Sequence, residues 1–179
     1  MTRPTHAVRS VLVYLTLALC SATPMAAQTV PSADSFVKID GKKNPEQIPE
    51  WLAWREAFAT IATVDLDKSG FTRNLVLTPT EKTLLKKEAQ EEKARQATCI
   101  QKQERLLEQM KAAPPETVNA ALADARIDCR WATLDARDRL LEGLSPEAQA
   151  SLQTFLAETR SAITSTVPKA ELEMWRRPQ

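Results

Sequence analysis

The chain has 179 residues, with 24 Lys plus Arg against 23 Asp plus Glu, one His, one Tyr, three Cys and three Gly. His6, Tyr14 and Cys20 all fall in a leading stretch that reads as an export signal, so Ser-His-Asp and Cys-His catalysis, histidine metal sites and an imidazole switch are excluded from the mature chain. Glycine occurs only at Gly41, Gly70 and Gly143, and no glycine-rich phosphate cradle can be written around them.

The signal is read over residues 1–27 from Arg3 and Arg9 with no acid, an apolar run Val11 to Cys20, and small residues from Ser21 to Ala27. The run falls short of the roughly 20 residues that a bilayer span needs. Cleavage after Ala27 predicts a periplasmic or secreted protein with no stable membrane span. Leu17-Ala18-Leu19-Cys20 offers acylation at Cys20 as the alternative, and Leu19 stands against it because a small residue is expected there. Loss of Arg3 and Arg9 leaves 22 of the 24 basic side chains against 23 acids, a net charge of −1. That balance sets up no field for nucleic acid or anionic lipid, and neither is expected as a partner.

Residues 28–43 have no period and read as an extended leader, from which Phe36, Val37 and Ile39 could dock; a single all-helical domain is expected over 44–179. Helix-start grammar begins at Asn44-Pro45, and Pro49 resets the start one turn later. Trp51, Trp54, Phe58, Ile61 and Ala62 then fall on one stripe at helical spacing. Such a stripe anchors a core or fills a partner's groove, which makes Trp51, Trp54 and Phe58 candidate partner-binding residues. The polar stretch Asp65 to Asn74 ends this helix. Within it, Asp65-Leu66-Asp67-Lys68-Ser69-Gly70 matches the first half of a calcium loop, but Val76 stands where the bidentate Glu is needed. Asp65, Asp67 and Ser69 are therefore only a weak calcium candidate beside the plain reading of a helix-ending loop, and no metal or other cofactor is expected.

Leu77-Thr78-Pro79-Thr80-Glu81 opens a second helix with a cap, a proline at the first position and a capping-box Glu. It can run to Ala113, about 50 Å at 1.5 Å per residue. Its middle, Lys86 to Gln96, has Ala89 and Ala94 as its only apolar residues and is expected to be mostly solvated or to face something polar. A third helix runs from Pro115 or Glu116 to Glu142, with Gly143 expected as a left-handed C-cap. Leu144-Ser145-Pro146-Glu147 repeats the start grammar, and a fourth helix carries Leu152, Phe155, Leu156 and Ile163. Thr166-Val167-Pro168 restarts a short last segment with Leu172 and Trp175. Nothing reads as strand. The fold class is all-α, an antiparallel helical bundle or folded helical hairpins.

An oxidising compartment favours pairing of Cys99 with Cys129. If helices two and three fold back at Pro114-Pro115, position 99 faces position 129, Gln96 faces Ala132, Gln103 faces Ala125, Leu106 faces Leu122 and Met110 faces Val118. Val118, Leu122, Ala125, Cys129, Ala132 and Ala136 then form a hairpin seam. The predicted disulfide locks this central hairpin where alanines bury little area, and a cross-link of this span stabilises by roughly 2 to 4 kcal/mol. A redox-active pair is the alternative, with neither a Cys-x-x-Cys nor a neighbouring His to support it. Trp131, two residues past Cys129, points away from the seam and becomes a partner contact if it stays exposed.

Acid-base chemistry is left only to carboxylates, with Glu88, Glu91, Glu92, Asp135 and Asp138 as the candidates. All sit in charge-rich helical segments, where solvation leaves carboxyl groups without the raised pKa of a general acid.

The two stretches Leu77-Thr78-Pro79-Thr80-Glu81 and Leu144-Ser145-Pro146-Glu147-Ala148-Gln149, each opening a helix in a small exported protein, resemble the Spy/CpxP family of periplasmic proteins and its two Leu-Thr-x-x-Gln motifs. Glu81 replaces the first Gln, and Gln149 sits one position late with Ser145 for Thr. The resemblance implies an ATP-independent chaperone or envelope-stress adaptor, a thin helical cradle, often a homodimer, that holds unfolded clients. The sequence thus points to a protein that binds a protein client or partner and is not an enzyme. The alternatives are a structural module docking through Trp51, Trp54 and Phe58, and, more remotely, a carboxylate-only hydrolase.

Overall fold

A computed structural model describes residues 36–70, 72, 74–109, 115–169 and 172, with side chains at all of these except 115–118 and 168. The expected signal over 1–27, Cys20, the start of the leader, the Pro114 turn with Met110, the Val118 side chain, and Trp175 lie outside the described residues. Those described belong to one compact unit. Strand β1 (Phe36–Asp40) leads through a 3-10 turn at Pro45–Gln47 into helix α1 (Glu50–Thr63), followed by α2 (Pro79–Gln109), α3 (Pro115–Glu142), α4 (Pro146–Ala162) and strand β2 (Thr164–Pro168).

The fold is mostly helical, as expected, and a two-stranded antiparallel ribbon is added to it. Phe36 pairs with Pro168 and Asp40 with Thr164, so the leader and the segment after α4 are one structure. This corrects the reading that nothing forms a strand and that the domain starts at position 44. The leader residues dock as the alternation of a strand dictates. Ile39 is buried, Val37 is partly buried and packs beside it, and Phe36 is exposed. Gly41 ends β1, where its N–H donates to the carbonyl of Ile163 at 2.8 Å. A Cβ at Gly41 would run into the carbonyl of Arg160, so absence of a side chain is what lets the ribbon close on α4.

Helix α1 sits between two apolar clusters. Trp54, Ala57, Phe58 and Ile61 pack with Leu85 and Ala89 of α2, Ala136 and Leu140 of α3, and Leu152, Phe155 and Leu156 of α4. One turn earlier, Trp51, Leu52 and Ala53 pack with Leu134 of α3 and with Ile39, Ile163 and Val167 of the ribbon. The helix has no side-chain N-cap, and its C-terminal carbonyls are satisfied from another element. The Lys86 ammonium on α2 donates to the carbonyls of Ile61 at 2.8 Å and Val64 at 2.6 Å, placing a cation where the helix dipole favours one.

Cys99 and Cys129 are joined in a disulfide, with Cα atoms 6.0 Å apart, as the sequence predicts. Contacts between α2 and α3 pass from Glu88 with Arg139, through Gln96 with Thr133, to Lys102 with Asp128. Gln96 therefore reaches Thr133, one position beyond the expected Ala132, and Gln103 reaches the Cys129 sulfur. Leu122, Ala125, Cys129 and Ala136 of the expected seam are buried.

Gly143 is not left-handed, since no described glycine has a positive φ. The end of α3 is closed by other means. Gly143 N–H donates to Leu140, and Gln149 Nε2 reaches back to the carbonyls of Leu141 at 2.8 Å and Leu144 at 3.1 Å. A Cβ at 143 would meet the end of the Leu84 side chain of α2, which would have to turn aside to admit it.

Candidate functional site

The two helix-start stretches are far apart in sequence and meet in space at one carboxylate. Glu81 closes the capping box of α2, accepting from the Thr78 N–H at 2.8 Å and the Thr78 hydroxyl at 2.7 Å, while Glu81 N–H donates back to Thr78 Oγ1. Its other oxygen accepts from the Ser145 N–H at 2.8 Å. Ser145 is itself the N-cap of α4, its hydroxyl accepting from Ala148 N–H at 3.3 Å. One buried side chain thus serves the starts of two helices. The Ser145 hydroxyl and N–H, and then Thr78, hold the Glu81 carboxyl down to about 2 from an ordinary value of 4.5. The capping signal was legible at Thr78 and at Ser145; the contact between them needed the spare oxygen of Glu81 and the tertiary fold.

Because Glu81 stays ionised to lower pH in the folded chain than in the unfolded one, its stabilising effect is complete above pH 4.5 and is lost as the pH falls toward 2. Thermal melts of the wild type and of Glu81→Gln across this window should separate them. The variant should melt lower at neutral pH and lose less on acidification. Parallel curves would show that Glu81 does not link the two caps.

The charged middle of α2 is exposed at Lys87, Gln90, Glu91, Lys93 and Ala94, while Glu88 and Glu92 are buried against polar partners, the second of the two expectations for that stretch. Glu92, only 1% exposed, accepts from the Thr133 hydroxyl at 2.5 Å, from Gln96 Nε2 at 2.8 Å and from Arg95 Nε at 2.9 Å. A buried carboxylate is tolerated when its lone pairs are filled in this way. Glu88 lies 3.6 Å from Arg139 on α3. The other acids hold separate positions: Glu91 is exposed between Lys87 and Arg95, Asp135 is exposed, and Asp138 is paired with Arg137 at 2.7 Å, which keeps its pKa below the usual carboxylate range. Of the five, Glu88 and Glu92 tie α2 to α3, and Glu91, Asp135 and Asp138 lie at the surface.

Trp51, Trp54 and Phe58 are all buried within the protein. Trp54 and Phe58 lie with ring centroids 5.4 Å apart in the main cluster, and Trp51 faces the ribbon side. Their reading as a partner-docking stripe is corrected: their apolar faces are consumed by α2, α3, α4 and the ribbon.

The half calcium motif forms a turn beside a groove of about 680 Å³ that also holds Lys82, Lys86 and Lys87. Asp65 Oδ1 accepts from Asp67 N–H at 3.0 Å, and its carboxylate pairs with Lys68 at 3.2 Å. These contacts, the Asp67 N–H foremost and Lys68 next, hold Asp65 below the usual carboxylate range. Asp67 pairs with Lys82. Ser69 donates its N–H to the Asp65 carbonyl at 2.9 Å. The oxygens that a cation would need face ammonium groups instead, and among the described residues no three acidic, His or Cys side chains gather as a metal site.

The exposed large apolar side chains among the described residues are Phe36, Val76, Ile100, Leu107 and Trp131, and the last three lie on the two helices that the disulfide joins. Ile100 and Leu107 on α2 are exposed, Ile100 by 56%, and Trp131 on α3 is 40% exposed. Ile100 and Leu107 are two helical turns apart and share a face. Among the described residues no helix is long and apolar enough to cross a membrane. No known protein family, characterised protein or solved structure matches the chain.

Proposed function

We propose that this chain is an exported helical binding protein, an ATP-independent chaperone or envelope-stress adaptor of the kind the Spy/CpxP resemblance implies, acting in the periplasm or after secretion. In this reading α2 and α3 form a central antiparallel hairpin that turns at Pro114-Pro115 and is pinned by Cys99 and Cys129. Its outer half holds a client or partner, and a homodimer doubles that surface. The observation that carries the reading is the exposure of Ile100, Leu107 and Trp131 on helices otherwise rich in charge. In this reading these side chains are the contacts for an extended client, and the charged residues around them keep the surface soluble in its absence.

Suppression of aggregation of a chemically denatured client at equimolar ratio tests it. The wild type should keep the client soluble. The double variant Ile100→Ser, Leu107→Ser should fold with stability within about 0.5 kcal/mol of the wild type, since both sites are on the surface, and should lose most of the protection. Failure of the wild type to protect any client, or full protection by the variant, would sink the proposal. A pull-down yielding one stoichiometric partner would instead favour a dedicated docking module.

A further inference from the structure

One face of the ribbon packs on α1. Ile39 and Val167 point inward and are buried, whereas Lys38, Thr164 and Thr166 are exposed. The main-chain groups alternate too: in an antiparallel pair every second residue bonds across to its partner, and the residues between turn their N–H and C=O outward. Gly41 bonds across to Ile163, so the register of Ile39 with Ser165 and Val37 with Val167 makes 37, 39 and 41 the bonded positions. Thr164 and Thr166 therefore turn two N–H and two C=O groups to the outer edge of β2. Pro168, which has no N–H to give, also falls at an outward position.

The two edges are not alike. At β1 the outward carbonyl of Asp40 accepts from the N–H groups of Lys43 at 3.1 Å and Asn44 at 2.9 Å, and the charged Lys38 stands beside it. Charge and local bonding of this kind keep an edge from pairing with another chain. β2 carries neither over Thr164-Ser165-Thr166, and among the described residues nothing bonds the outward main-chain groups of Thr164 or Thr166. Beside that edge, between β2, α1 and the end of α4, lies a cavity of about 270 Å³. Buried Leu52 and Ile163 line it, together with Ala162, Ser165 and the Arg55–Glu56 ion pair. Its charged groups are matched to each other at 2.7 Å, and the Thr159 hydroxyl is spent on the Phe155 carbonyl at 2.9 Å.

We infer that the outer edge of β2 binds one extended segment of another protein as a third, antiparallel strand, with a large apolar side chain of that segment seated in the cavity. An extended backbone supplies the alternating acceptors and donors that Thr164 and Thr166 require, and a side-chain pocket in step with them adds selectivity. Residues directly opposite in such a pair point to the same face, so the one opposite Ser165 turns toward α1, where the cavity lies. A cavity of about 150 Å³ admits a benzene ring, so this one has room for Leu, Met or Phe. The edge is uncharged and the two charges at the cavity cancel, which suits an uncharged segment. A second copy's β2 is a poor occupant: its inward Ile163 and Val167 are buried in their own subunit, and its Ser165 is too small to fill the space. This surface shares no residue with Ile100, Leu107 and Trp131 and does not depend on the client-binding proposal.

The probe is a fluorescent, end-capped heptapeptide, Thr-Thr-Thr-Leu-Thr-Thr-Thr, titrated with the purified protein and read by anisotropy. It should bind saturably. Serine in place of the leucine should weaken binding on the order of tenfold or more, the loss of one buried leucine side chain. Methylating the backbone nitrogens of the two residues that flank the leucine removes the donors to Thr164 and Thr166, and should weaken binding on the order of tenfold. On the protein, Thr166→Pro removes an outward N–H that the ribbon does not use, and Ala162→Leu fills the cavity from an exposed position. Both variants should melt close to the wild type and bind the leucine peptide on the order of tenfold more weakly. Absence of saturable binding, equal binding of the leucine and N-methylated peptides, or unchanged binding by folded Thr166→Pro or Ala162→Leu, would overturn the assignment. So would a dimer that Thr166→Pro dissociates, because it would give the edge to a second copy.

Discussion

Replacing Trp54 by alanine should destabilise the protein by about 3 to 5 kcal/mol, the range for removing a large aromatic from a packed core. Trp54 is 1% exposed and its ring meets Phe58 on one helix and side chains of α2, α3 and α4 on the others. The polar contacts of Lys86 and Glu92 hold α2 to its neighbours and limit how far the helices can close over the space. The melting temperature should fall by roughly 6 to 20 °C for a domain of this size. Urea unfolding should show a lower midpoint with the slope preserved, the mark of lost stability without a change in the surface exposed on unfolding. The measurement also separates two meanings of an aromatic stripe. A docking residue on a free face would change stability by no more than about 0.5 kcal/mol. A loss that small at Trp54 would reopen α1 as a partner surface.

Sequence grammar located what depends on near neighbours. The starts of α2 and α4 were readable because Thr78-Pro79 and Ser145-Pro146 place a cap and a proline where two backbone requirements coincide. The disulfide was readable because Cys99 and Cys129 are the two cysteines left beyond the expected signal, and they fall opposite each other when α2 and α3 are read as antiparallel. The ribbon was not. Val37 and Ile39 alternate with Lys38 and Asp40 over only five residues, and their pairing partners lie more than a hundred residues on, after α4. A strand that short is indistinguishable from a leader until its partner is known. Pro168 at the far end of the pairing made the second strand look like a helix start, although an edge strand accepts proline at its end.

The polar interior was hidden for a related reason. Lys86 to Gln96 reads as a solvated face because charge is assigned residue by residue, while the burial of Glu92 is decided by Thr133 on another helix. Thr133 has no helical pattern of its own that marks it as a hydrogen-bond donor to α2. Local rules therefore found the ends of the helices, and missed the polar groups that join them.

Breaking the Cys99–Cys129 bond, by reduction or by Cys99→Ala with Cys129→Ala, should cost about 2 to 4 kcal/mol, for a cross-link that closes a loop of 30 residues. The loss should be local in the native state. Below the bond, Gln96, Thr133 and Glu92 are interlocked and rest on the main apolar cluster. Above it, the described contacts thin to Lys102 with Asp128 at 3.5 Å, an exposed pair of little worth, and to the buried Leu122 and Ala125. Amide exchange should therefore accelerate most in the outer part of α2 and α3, while the segment around Phe155 keeps its protection. Uniform acceleration along the whole chain, or none, would contradict a bond that secures one end of a helix pair. The consequence for function follows from position. Ile100 is adjacent to Cys99 and Trp131 is two residues from Cys129, so the exposed apolar side chains are held in place by the same bond. On the proposed function, a reduced protein that remains folded through its core should hold client less well than the oxidised form in the aggregation assay, because the proposed surface would no longer have a fixed backbone beneath it.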